Sequence, residues 1–267
     1  MHPALQNPTA DTAAVTDSLP AVVVATDSAT TSPVPADAGK ENLLHKAVLK
    51  GLAAAWENRL PGTVLPLAMA ALVCSYYIWP ESGFLLEILS KWKQAGGLFF
   101  AFFATGFAGG VLSQAVKVAF TQGFKWKRHN SIDALFTFLL FGFNGIIVFY
   151  FYRWQADFFG HEAHWHIVAR KVMFDQFVFS VLWSTPMQST LFAWKECGFK
   201  WQRLRPQLTS AFVANNMVPM VIANWFFWIP MVSLVYSLPT PLQFPLFLIA
   251  NALWSLILAT VARTEPA

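Results

Sequence analysis

Residues 206–262 read PQLTSAFVANNMVPMVIANWFFWIPMVSLVYSLPTPLQFPLFLIANALWSLILATVA, 57 consecutive positions without Asp, Glu, Lys, Arg or His. A helix needs roughly 20 apolar residues to cross the ~30 Å hydrocarbon layer of a bilayer. The run is long enough to cross twice, with the Pro-rich SLPTPLQFP at 237–245 where the chain should turn. A soluble core of this size would not need so long a charge-free stretch. The expected fold class is therefore all-α, a polytopic transmembrane bundle of about six membrane helices.

Composition points the same way. The chain is 56% hydrophobic and only 12% charged, against about 25% charged in soluble domains. Its 26 Phe and 12 Trp suit lipid-facing helices with aromatic belts at both interfaces. Charge-free gaps place the remaining spans. They fall at 60–80, 94–116, 134–152 and 176–194, and the long run divides into 210–236 and 241–262. Pro61 and Pro66 shorten the regular part of the first span, which then barely crosses. Between the first two, Leu85, Ile88, Leu89 and Trp92 follow the spacing of one helical face, so a short helix lying in the interface is expected there.

Orientation follows from Lys and Arg in alternate loops. With six spans, 12 of the 18 basic residues fall on the side of both termini, five on the other side, and Lys117 stays inside the second span. The side rich in Lys and Arg is the cytoplasmic one. The net charge of +4 is thus an orientation signal rather than a nucleic-acid patch.

Residues 1–39 are a different material, rich in Ala, Thr, Ser, Pro and Val, with four Asp and no Lys or Arg. They are read as a disordered tail, with neither a secretory signal nor a mitochondrial presequence in them. A basic, amphipathic segment with an additional membrane helix follows at 40–95, then the bundle at 96–262 and a short tail at 263–267. A bacterial cytoplasmic membrane is the expected location, with an organellar inner membrane or the peroxisome as the alternative.

Polar residues inside spans must find partners or water. Gln114, Asn144, Gln188, Asn215, Asn216, Asn224 and Asn251 form the candidate seam, read either as interhelical bonding or as the lining of a water path. Pro219 and Pro230 break the helix at 210–236 and free backbone carbonyls. Lys171 and Asp175, four apart, can pair across one turn at the interface. Gly106 with Gly110, and Gly142 with Gly145, let helix backbones approach closely. His161, Glu162, His164 and His166 cluster in a loop without metalloprotease spacing. Cys74 and Cys197 are isolated thiols. No catalytic, cofactor or metal site is expected.

The order of several of these features resembles the Mpv-seventeen and 22-kilodalton peroxisomal membrane protein family. Gly109-Gly110-Val111-Leu112-Ser113-Gln114 resembles its Gly-Asp-x-x-Ser-Gln, with Gly110 in place of the Asp. Gly142-Phe143-Asn144-Gly145 and Phe151-Tyr152-Arg153 resemble its Gly-rich stretch ending in Trp-Tyr, and Lys171–Gln176 resembles its Lys-x-x-x-Asp-Gln. Val218-Pro219 and Ile229-Pro230 match the spacing of its Trp-Pro and Val-Pro; Asn224-Trp225 resembles its Asn-aromatic pair shifted by one position, and Trp254 resembles the Trp of its closing helix after an insertion of several residues. The resemblance covers about residues 96–262. It implies a compact bundle associated with passage of small solutes and with membrane homeostasis, to which the span at 60–80 is an addition.

The functional expectation is a pore or pathway for small solutes. The second reading is a non-transporting membrane scaffold, with the tail and basic loops as docking surfaces. The expected partners are the lipid bilayer, small solutes and a second copy of the chain; nucleic acid is not among them.

Overall fold

The computed structural model describes residues 38–57 and 59–261. Positions 1–37 of the expected tail, and Arg263, lie outside the described residues; Ala38 and Gly39 already belong to the first helix. Among the described residues all regular structure is helical, in eight helices. These are α1 (Ala38–Glu57), α2 (Arg59–Ile78), α3 (84–121), α4 (Arg128–Phe159), α5 (165–196), α6 (Trp201–Leu204), α7 (Ser210–Ser237) and α8 (Thr240–Val261).

Three of them are long and apolar enough to cross a membrane. They are the segments Glu81–Ala119, Arg128–Phe159 and Ser210–Ser237, and Gly62–Ile78 forms a shorter apolar helix. They answer to the sequence spans at 94–116, 134–152, 210–236 and 60–80. Charge-free gaps mark only the dry middle of a helix, so α3 and α4 run further at both ends than the gaps predicted. At 1.5 Å per residue, the 32 residues of α4 extend about 48 Å.

The short helix expected before the second span is set off from it by a break at Gly97, whose backbone sits at the non-helical φ 51° and ψ −126°. That φ combined with that ψ is open to glycine alone, so the sequence GG at 96–97 sets the kink. Before it, Leu85, Ile88 and Trp92 stay exposed. Ser90 turns inward and donates to the carbonyl of Pro241 at 3.2 Å. At the other end of α4, Gly160 at φ 118° stops the helix and returns the chain into α5.

The core joins six helices. Leu65, Met69 and Val73 of α2 pack with Met231, Val235 and Tyr236 of α7, Phe244 and Leu246 of α8, Ala101 of α3, Val148 of α4 and Val172 of α5. The N-terminal segment is thus built into the bundle wall. Helix α1 lies along α7, so close that a Cβ at Gly51 would stand 2.8 Å from the Cβ of Ile222.

The glycines expected to mediate packing all lie where α3 crosses α4. A Cβ on Gly110 would stand 2.6 Å from Cα of Phe138, and one on Gly106 would meet the Phe138 carbonyl at 2.7 Å. From the opposite helix, Gly145 faces the Ala101 carbonyl at 2.6 Å and Gly142 the ring of Phe102 at 2.8 Å. Backbone-to-backbone approach of this kind is how helices associate where no hydrophobic force drives them together.

Candidate functional site

Among α1, α2, α3, α4, α5, α7 and α8 lies a partly open cavity of about 1280 Å³, with exposed Trp56 and Phe226 at its edge. From α2 onward, short connections make successive long helices antiparallel, which gives the cavity two distinguishable ends. At one end stand Arg59, Lys117, Glu196 and Gln207, and the lining runs from there to Tyr152, Asp175, Val232 and Phe247.

Six of the seven seam residues line this one space: Gln114, Asn144, Gln188, Asn216, Asn224 and Asn251. Asn215 does not; it is exposed. The two adjacent amides point about 100° apart around a helix, so only one can face inward.

The wall is held by bonds between helices as well as by packing. Asn224 Nδ2 donates to Ser180 Oγ at 2.9 Å, and Trp225 Nε1 to the carbonyl of Gln176 at 2.9 Å, tying α7 to α5. Gln114 Nε2 reaches Asn130 Oδ1 at 3.3 Å, joining α3 to the start of α4. Gln188 and Asn216 bond within their own helices, to Ser184 Oγ at 2.9 Å and to the Phe212 carbonyl at 3.2 Å. The Oδ1 of Asn144 finds no hydrogen-bond partner among the described residues.

Three stretches of π-helix, Phe107–Leu112, Asp175–Ser184 and Val213–Met217, each contribute residues to the lining. The sequence explains where they fall. Val213–Met217 runs up to Val218-Pro219, and Asp175–Ser184 up to Thr185-Pro186. In an α-helix a proline ring collides with the carbonyl four residues earlier; a wider turn before it relieves that collision. The first stretch holds Gly109-Gly110, with its low helix propensity. Such bulges recur at functional sites. Pro186 is the signal that sequence reading passed over. Pro230 is accommodated inside α7 as a continuous helix.

The ion pair expected between Lys171 and Asp175 does not form. Asp175 is buried, its Oδ2 accepting from the Tyr236 hydroxyl and its Oδ1 from Gln176 Nε2 at 3.1 Å. With both oxygens engaged across the helix interface, the local pairing loses. Lys171 is buried too, its ammonium 5.9 Å from the centre of the Tyr236 ring. The buried ion pair is instead Lys195 with Asp133, at 2.6 Å, linking the end of α5 to the start of α4. Helical spacing could not reveal that partnership, since the two residues are 62 apart in sequence.

Tyr152 occupies a special position. It lines the main cavity and also a second one, of about 440 Å³, at the opposite end of the bundle beside Lys93, Arg153 and Phe244. Its ring packs against Tyr236 with centroids 5.3 Å apart. The loop histidines lie beyond, exposed, with His161 3.4 Å from Asp157 and His164 2.9 Å from Glu162. No group of three or more metal-ligating side chains assembles among the described residues.

No family model matches the chain, and neither a curated protein nor a solved structure matches it.

Proposed function

We propose that this integral membrane protein encloses a pathway for small solutes, running from the end marked by Arg59, Lys117 and Glu196 toward Tyr152. The carrying observation is the convergence of six span amides from five helices on one large cavity. Polar groups at membrane depth are costly and mark solute paths, and interrupted helices tend to line such paths.

In this reading α2, α5 and α8 cross the membrane along with α3, α4 and α7. Helix α5 fails the simple hydropathy criterion because one side of it carries Gln176, Ser180, Ser184 and Gln188, which face the cavity. Its Phe177, Leu182 and Trp183 are exposed on the outside, as lipid contact requires. Six spans put both termini in the cytoplasm by the imbalance of Lys and Arg. The Mpv-seventeen resemblance belongs to the same reading, the chain being a divergent relative.

The test is flux. The full chain reconstituted in liposomes is expected to let small solutes enter faster than into protein-free vesicles of the same lipids. Equal rates across several lipid compositions would sink the pathway and favour a scaffold.

A further inference from the structure

Resting on the pathway reading, we propose that the solute is uncharged and rich in hydroxyls, a polyol or a simple sugar, and that Asn144 recognises it. The cavity itself argues for this class. Its charged side chains stand at the two ends: Arg59, Lys117 and Glu196 at the mouth, Asp175 at the far end. Between them the polar lining is neutral, made of amides and of hydroxyls such as Ser180, Ser184 and Ser189.

A cation passing this middle section would meet no free carboxylate, because both oxygens of Asp175 are held by Tyr236 and Gln176. An anion in this middle section would meet no cation, since Lys93 and Arg153 stand in the second space beyond Tyr152. Either ion would bear the cost of leaving water without a partner to offset it. A wholly apolar solute would leave the Asn144 carbonyl unsatisfied, which is also unfavourable. A hydroxyl both donates and accepts, so it suits amides presented in either orientation. The CH faces of a polyol would pack on the rings of Phe141, Phe179 and Phe227, which share the lining.

Asn144 is singled out by its bonding. Gln114, Gln188, Asn216 and Asn224 are each committed to a protein partner. Asn144 is 8% exposed, lines the cavity, and its Oδ1 meets no partner among the described residues. As placed, this oxygen is sealed from the cavity; a half-turn of the amide brings it to the cavity side, where it can accept from a ligand O–H.

The experiment uses the full chain in liposomes, comparing entry of glycerol, erythritol and ribose with that of lactate and ethanolammonium. A parallel titration of the same sugars and polyols follows Trp fluorescence in detergent, since Trp56 and Trp228 line the cavity. Polyols are expected to enter and the two ions to be excluded. Asn144→Leu is expected to slow polyol entry about tenfold, the scale of one lost hydrogen bond, and Asn144→Ser to restore part of it. Ions entering as fast as polyols would overturn the solute class and leave the pathway standing. A saturable fluorescence change lost in Asn144→Leu, without flux, would support the class and overturn the pathway. Passage of water alone, or polyol entry unchanged in a folded Asn144→Leu, would overturn the role of Asn144.

Discussion

Gly110→Leu is expected to prevent assembly of the bundle, and Gly110→Ala to weaken it severely. Overpacking in a close-packed interior typically costs about 1–3 kcal/mol, and here the obstacle is main chain. A Cβ at position 110 would stand 2.6 Å from Cα of Phe138 and 2.8 Å from the carbonyl carbon of Thr137. No side-chain rotation relieves that; α3 and α4 would have to separate. Separation would also open the contacts of Gly106, Gly142 and Gly145 at the same crossing. Melting of the purified protein in detergent, followed by Trp fluorescence, checks this. The control is Gly62→Ala, where nothing lies within 4 Å of the added carbon. A Gly110→Leu protein that melts with the parent would show the crossing to be wrongly described.

Tyr152→Ala is expected to raise solute flux, by about tenfold if the partition contributes about 1.4 kcal/mol to the barrier. Tyr152 borders the cavity and the second space beyond it, so its ring is part of the partition between them. The same substitution removes a buried aromatic side chain, 6% exposed, and costs about 3–5 kcal/mol of stability. The two effects separate in one series. Tyr152→Phe keeps the ring and is expected to keep both the partition and most of the stability. Flux normalised to folded protein, unchanged in Tyr152→Ala, would contradict a partition at this position.

Much of this architecture was legible in the sequence because bilayers impose a simple rule. Dry hydrocarbon demands long apolar helices, and those at 94–116, 134–152 and 210–236 lie within α3, α4 and α7. The small residues at the α3–α4 crossing were legible for a related reason, since few other residues permit backbone contact. Helix α5, over the charge-free gap at 176–194, is not among the helices long and apolar enough to cross, because Gln176, Ser180, Ser184 and Gln188 line the cavity on one side of it. Local spacing failed for Lys171 and Asp175 because Tyr236, 61 residues from Asp175, supplies a partner across the interface. The same is true of Lys195 with Asp133. Such pairings depend on which helix faces which, information carried by the packing and not by any local pattern. The π-helical stretches were half legible, through Pro186, Pro219 and Gly109-Gly110, once the widening before a proline is considered.

The central claim is a water-filled path that opens toward the side of Arg59, Lys117 and Glu196. It is tested most directly by a membrane-impermeant thiol reagent on single cysteines, with Cys74→Ser and Cys197→Ser in the background. Cysteines placed at Asn216, Asn224 and Asn144 are expected to react when reagent is present on the cytoplasmic side. A cysteine at Glu162 is expected to react only from the opposite side. One at Leu182, exposed on the outer surface of α5, is expected to stay unlabelled in lipid. Cavity positions as unreactive as Leu182 from both sides, in protein that labels at Glu162, would contradict the account.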